Sequence, residues 1–195
     1  MYKGILVGHS FVKSLSDYLV NPNPKTTSNI LRVNDYISEF YLAGYRGAQV
    51  TNPETYTEIK QVILHNKPNF VILEIGSNDL STCSPRVVSD RVVELALALT
   101  NYWGINCVLV CSLLLRRDIP DHLISATNTY LHDQIKDLSC IKFHPHKKLL
   151  GLAPSKFSKD GIHVNTETGR ELYLKSIRRA IFTCIKFLKV TNLSK

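Results

Sequence analysis

The chain has 195 residues, of which 44% are hydrophobic and 21% are charged. No apolar run approaches the ~20 residues that a membrane-spanning helix needs, so the sequence predicts no transmembrane helix. The formal net charge of +8 permits attraction to nucleic acid or another polyanion but does not select a partner. These numbers predict one globular domain over residues 1–190 and a short tail over residues 191–195.

The cysteines are few and odd in number, and they form no Cys-x-x-Cys pair: Cys83, Cys107, Cys111, Cys140 and Cys184. We therefore expect free thiols in a reducing compartment and no zinc site. The N-terminus enters an apolar run directly, without the features of a secretory signal. Together these observations predict a cytoplasmic or otherwise intracellular protein.

Three apolar runs are typical of buried strands: Gly4–Val7, Phe70–Ile75 and Cys107–Leu114. Two further segments, Tyr36–Leu42 and Ile141–Phe143, are weaker strand candidates. The stretch Asn21–Asn29, "NPNPKTTSN", has the composition of a loop.

Helical patterns alternate with these strands. One opens at Asn52-Pro53 and stops before Pro68, and another opens at Ser84-Pro85 and ends at Gly104. The segment "DHLISATNTYLHDQIKDL" repeats the pattern, and a last helix runs from about Thr166 to Leu188. Alternating strands and helices predict a three-layer α/β/α sandwich resembling flavodoxin, with about five parallel strands.

In an open parallel sheet, functional sites form at the carboxyl ends of the strands. The turns there contain "GHS" at residues 8–10, "GYRG" at 44–47, "GSND" at 76–79 and "RRD" at 116–118, and "DGIHVN" at 160–165 precedes the last helix. These turns supply a serine, backbone amides, an asparagine amide and an Asp/His pair. Those groups are the components of an acyl-transfer site.

Four of these segments, in this order, resemble the sequence blocks of the SGNH, or GDSL-type, hydrolase superfamily. They are "ILVGHSF", "LAGYRGAQ", "LEIGSNDL" and "KDGIHVN". The Gly-x-Ser-x-Gly elbow of the α/β-hydrolases fits less well, because position 12 is Val and Ser10 follows the very first strand. Gly-His-Ser-Phe and the later Arg-Arg pair are also similar to SGNH-like domains encoded in eukaryotic retroelements.

The resemblance implies a catalytic triad of Ser10, His163 and Asp160. It also implies an oxyanion hole formed by the backbone N–H groups of Ser10 and Gly47 and the side chain of Asn78. Each residue has a simpler alternative. Ser10 could be a helix N-cap, Asn78 a turn residue, and Gly44 competes with Gly47 for the glycine role.

His9 is the clearest departure, since the superfamily usually has Asp at this position. His9, Arg116 and Arg117 are candidate substrate-binding residues. The alternative for the two arginines is a pair of solvated loop residues. His144 and His146 could suggest a metal, but they lack a third ligand at useful spacing. We therefore expect them to lie in a basic surface loop.

The residues and the resemblance together predict a serine esterase that acts on short-chain, acetyl-type carboxyl esters and needs no metal or cofactor. The substrate would be a small molecule or another acylated ester. The main alternative is a weakly active or inactive SGNH-fold module that binds nucleic acid or another polyanion through its basic surface.

Overall fold

The computed structural model describes residues 1–19, 24–164 and 166–193. Five parallel strands form one sheet in the order β2-β1-β3-β4-β5. Their bounds are β1 Tyr2–Gly8, β2 Ile37–Gly44, β3 Phe70–Glu74, β4 Cys107–Cys111 and β5 Ile141–His144. The predicted α/β class and the count of about five parallel strands are confirmed.

Eight helices accompany the sheet in the described part of the chain. They are α1 Ser10–Tyr18, α2 Pro24–Ile30, α3 Pro53–Asn66, α4 Pro85–Asn101, α5 Asp121–Ile135, α6 Lys147–Leu150, α7 Pro154–Phe157 and α8 Glu167–Leu193, with a short 3-10 helix at Asp79–Ser81. Helices α1 and α8 pack on one face of the sheet, and α3, α4 and α5 pack on the other. Alternate residues of β1 show the division, since Leu6 faces the first group while Ile5 and Val7 face the second.

The strand order reverses at β1, which lies between β2 and β3. In an open α/β sheet, the crevice at such a reversal is where ligands bind. Ser10 follows β1 and Asn78 follows β3, so the topology brings two of the predicted site residues to this crevice.

One local prediction is wrong, and one alternative, Ser10 as the helix N-cap, is excluded. Residues 24–29 of the predicted loop form most of helix α2, while residues 21–23 lie outside the described residues. No helical pattern is visible in the sequence here, because the residues that this helix buries include the polar Thr27 and Ser28 instead of an apolar stripe. The N-cap of α1 is His9, and Ser10 is already the first helical residue.

The predicted ends of several elements also shift. Strand β4 ends at Cys111, three residues before the end of its apolar run, and α8 continues to Leu193.

All five cysteines are free. Among the described residues, no helix is both long and apolar enough to cross a membrane.

Candidate active site

A cleft of about 500 Å³ opens at the carboxyl end of the sheet, at the strand reversal. The residues that line it come from every predicted block: Ser10, Ser14, Arg46, Gly47, Asn78, Arg116, Ile162 and His163. A second depression, of about 400 Å³, lies where β4 and β5 begin, and its lining contains no histidine or carboxylate. Of these two depressions in the described part of the chain, only the first combines a hydroxyl with an imidazole.

Ser10 lies at the positive end of helix α1, where backbone N–H groups have no partner within the helix. The structure gives no hydrogen bond between Ser10 and His163, although both line the same cleft. The rings of Phe11 and His163 make an edge-on contact with 6.2 Å between their centroids. The imidazole thus lies against the first turn of the helix that carries the serine.

The loop before α8 holds His163 in one orientation. Asp160 Oδ2 lies 2.8 Å from His163 Nδ1, and Asp160 Oδ1 accepts hydrogen bonds from the backbone N–H of Ile162 and of His163 and from the Ser158 hydroxyl. Since a carboxylate only accepts, Nδ1 carries a proton, and in the tautomer that this contact selects Nε2 has the lone pair.

The carboxylate of Asp160 is stabilised in its charged form. Desolvation alone would raise its pKa, but the hydrogen bonds from His163, Ser158 and Ile162 outweigh this effect and hold the pKa of Asp160 well below its ordinary value. Asp160 is therefore ionised at neutral pH and suited to orient an imidazole.

The two candidate glycines, Gly44 and Gly47, lie in different surroundings. Gly47 lines the cleft and has a positive φ of 71°, which favours glycine. Gly44 packs against α1, where an added Cβ would lie 2.1 Å from the backbone nitrogen of Lys13. Gly44 thus permits the close approach of α1 to β2, and Gly47 is the glycine that lines the same cleft as Ser10.

Residues 78 and 79 attach the loop after β3 to the loop after β2. Asn78 Nδ2 donates to Ala48 O at 2.9 Å. The fully buried Asp79 accepts hydrogen bonds from the backbone N–H groups of Val50 and Thr51 and from the Thr51 hydroxyl. Sequence reasoning did not assign this role to Asp79, although its place beside Asn78 in the "GSND" block was a signal.

We expect Asp79→Ala to lower the free energy of unfolding by roughly 1–3 kcal/mol, because it leaves the partly buried N–H groups of Val50 and Thr51 without their acceptor. Urea denaturation measures the effect. Thr51→Val removes only the hydroxyl contact and is the milder control. Equal stability of Asp79→Ala and wild type would contradict this role.

His9 does not line the cleft, so the expectation that it contacts substrate directly is wrong. Its side chain is fully buried. Nδ1 accepts from the backbone N–H of Phe11 at 3.4 Å, and Nε2 lies 3.0 Å from Ser77 Oγ. Burial lowers the pKa of His9 to about 4, despite the opposing charge of Glu74. His9 is therefore a neutral cap and brace beneath Ser10.

His9 and His144 should make the protein acid-sensitive. Burial lowers the pKa of each from 6.5 to about 4, so the unfolded chain takes up protons that the folded chain resists. The free energy of unfolding should therefore fall as the pH decreases from 6.5 to about 4, by roughly 3 kcal/mol per histidine at most.

Urea denaturation at about pH 7.5 and about pH 5 tests this expectation. His9→Asn retains a capping side chain but cannot titrate, so its stability should depend less on pH. The exposed His65, changed to Asn, is the control and should behave as wild type. Equal stability of the wild type at both pH values would contradict the prediction.

The two adjacent arginines differ sharply. Arg116 lines the cleft, is only 7% exposed and makes a two-point ion pair with Asp118 at 2.7 and 3.0 Å, so it is not a solvated loop residue. Arg117 is exposed and lines a separate groove with Pro120 and Ser155. The structure does not bring Arg117 into the cleft.

The expectation that His144 and His146 lie in a surface loop is wrong. His146 is fully buried, with Nε2 lying 2.7 Å from Glu74 Oε2 and Nδ1 lying 2.7 Å from Ser176 Oγ. His144 also contacts Ser176. Burial favours the neutral form of Glu74, but interaction with His146 outweighs it and lowers the pKa of Glu74. Ligand-capable atoms of Glu74, Cys111 and His146 lie within 4.8 Å of one another, and Glu74 and His146 are hydrogen-bonded to each other.

Neither family models nor curated protein sequences match the chain. Solved structures match it over nearly its full length. A putative acylhydrolase from Bacteroides fragilis gives a TM-score of 0.70 at 17% identity, with 94% of this chain and 88% of that chain covered. A GDSL-like lipase from Bacteroides thetaiotaomicron gives 0.69 at 19% identity, with 93% and 88% covered.

A carbohydrate esterase family 3 protein from Talaromyces cellulolyticus gives a TM-score of 0.70 at 14% identity, with 95% of this chain and 99% of that chain covered. At such identities the likeness concerns the fold. The order of the four sequence blocks, the strand reversal at β1 and these matches agree with one another. The chain has the fold of the SGNH, or GDSL-type, hydrolases.

Proposed function

We propose that the protein is a serine hydrolase that cleaves short-chain carboxyl esters through an acyl-enzyme on Ser10. The observation that carries this proposal is the shared cleft. Ser10, Gly47, Asn78 and His163 come from four distant segments of the chain, and all line the same opening. An arrangement of nucleophile, base and N–H donors at one cleft is what acyl transfer requires.

The chemistry follows from the position of each group. His163 Nε2 takes the proton of Ser10 as its Oγ attacks the ester carbonyl. The backbone N–H groups of Ser10 and Gly47 and the Asn78 amide stabilise the oxyanion of the tetrahedral intermediate. His163 then returns the proton to the leaving alcohol, and water hydrolyses the acyl-enzyme by the same steps. The His163 side chain is 32% exposed, which leaves it room to reach Ser10.

Two features support a short acyl group. The cleft is modest in volume, and the described residues include no long insertion that could form a lid over it. Solved structures with this fold include a carbohydrate esterase family 3 protein and an acetyl xylan esterase. The substrate class we propose is therefore an acetylated small molecule or polymer, with no cofactor in the reaction.

A series of nitrophenyl esters of increasing acyl length tests this proposal. We expect kcat/KM to be highest for acetyl or propionyl esters and to fall as the chain lengthens. A folded protein that hydrolyses none of them would contradict the proposal and favour the binding-module alternative. Retention on a polyanion column that weakens with added salt would then support that alternative, given the net charge of +8.

A further inference from the structure

The guanidinium group of Arg116 contacts two consecutive residues of the loop after β3. Nη1 donates to Asn78 Oδ1 at 2.6 Å and to Ser77 Oγ at 3.0 Å. Nε and Nη2 are occupied by Asp118. Four N–H groups of this nearly buried arginine thus donate to protein acceptors. Arg116 therefore holds these partners in place and is not a free anion-binding side chain.

These contacts fix which way the Asn78 amide faces. Arg116 can only donate, so the amide oxygen must face it, and Ala48 O can only accept, so the amide nitrogen must face Ala48. Both constraints agree on one orientation. With one N–H of Nδ2 directed at Ala48 O, the other is available to an oxyanion in the cleft that Asn78 lines.

The positive charge of Arg116 also acts on the amide. A cation bonded to the amide oxygen withdraws electron density from it and makes the N–H groups stronger donors. Asp118 balances the charge on the far side of the guanidinium at 2.7 Å, so the buried cation is not left uncompensated. A lysine at this position would retain the charge but could not span Asn78, Ser77 and Asp118 together.

Ser77 connects Arg116 to the N-terminal end of the helix that carries Ser10. Its Oγ lies 3.0 Å from Arg116 Nη1 and 3.0 Å from His9 Nε2. Because His9 Nδ1 accepts from the helix, Nε2 carries the proton and donates to Ser77. A continuous buried network therefore runs from the N-cap of the helix that presents Ser10 to the side chain that faces the oxyanion.

We infer that Arg116 is a positioning residue for the oxyanion hole, which acts on the transition state through the Asn78 amide and does not itself bind substrate. The inference rests on the proposed function, because it assigns a part of the same site. It predicts that loss of Arg116 lowers kcat and leaves KM nearly unchanged. It also predicts that the effect disappears when Asn78 is already absent.

The test is a double-mutant cycle on a nitrophenyl ester that the wild type hydrolyses, with Arg116→Met, Asn78→Ala and both together. Asn78→Ala should lower kcat by about 10²–10³-fold and Arg116→Met by roughly 10- to 100-fold. The double variant should be about as active as Asn78→Ala alone. Arg116→Lys should recover at most part of the loss. Arg91→Met, which removes an exposed arginine paired with Glu94, is the control and should match wild type.

Three results would overturn the inference. They are wild-type kcat for Arg116→Met, a rise in KM with kcat unchanged, or a full additional loss in the double variant. The last would indicate that Arg116 acts through general folding or through substrate contact, and thermal denaturation of each variant separates those two causes. If the wild type itself hydrolyses no ester, the proposed function fails instead, so the two failures are distinguishable.

Discussion

Replacing Ser10 with alanine should abolish ester hydrolysis and leave the fold intact. We expect kcat to fall by about 10⁴–10⁶-fold, as it does when a serine nucleophile is removed from an established triad. The change should cost little stability, because the N-cap of α1 is His9 and Ser10 makes no capping hydrogen bond. Steady-state kinetics and thermal denaturation of the purified variant measure the two effects.

Ser14→Ala is the matched control. Ser14 lies one turn further along α1 and lines the same cleft, so its removal changes the surface of the cleft without touching the proposed nucleophile. It should retain activity within about tenfold of wild type. Equal turnover by Ser10→Ala and wild type would contradict the mechanism, whatever Ser14→Ala does.

Asp160→Asn should have the second largest effect. The amide of Asn can direct an N–H toward His163 Nδ1, which would shift the ring proton to Nε2 and leave no lone pair to accept the Ser10 proton. In an established triad the same change lowers kcat by about 10⁴-fold, and we expect a loss on the order of 10³–10⁴ here. Rates measured between about pH 6 and about pH 9 check the effect.

Ser158→Ala is the control for this variant, since it removes one of the hydrogen bonds to Asp160 Oδ1 and leaves the contact with His163 intact. Its kcat should fall by no more than about tenfold. A catalytic loss as large as that of Asp160→Asn would show that the shape of the loop, and not the carboxylate at Nδ1, controls the rate.

The three central strands β1, β3 and β4 were predictable because they are continuous apolar runs, which parallel strands buried on both faces require. The edge strands β2 and β5 contain polar residues and gave weaker patterns, but the alternation of all five with helical patterns indicates the fold class. Helix α2 was not predictable in this way. Its sequence, "PKTTSNI", lacks an apolar stripe, and its position depends on burial of hydroxyl side chains that a hydropathy pattern treats as loop residues.

The candidate site was predictable where a block combines chemistry with position, as for Ser10, Asn78 and His163. It was less predictable where a role depends on a tertiary partner. Nothing in the sequence pairs Arg116 with Asn78, which lies 38 positions away, and that contact separates Arg116 from the exposed Arg117. His146 was misplaced for the same reason, because its partner Glu74 lies 72 positions away.

Trapping the acyl-enzyme tests the central proposal most directly. The protein is mixed with nitrophenyl acetate, quenched in acid within the first turnovers and digested, and the peptides are analysed by mass spectrometry. We predict one acetyl group on the peptide that contains Ser10, with the Oγ as its site, and no such adduct in Ser10→Ala. Hydrolysis by the wild type with no adduct on Ser10, or an equal adduct on another residue in Ser10→Ala, would contradict it.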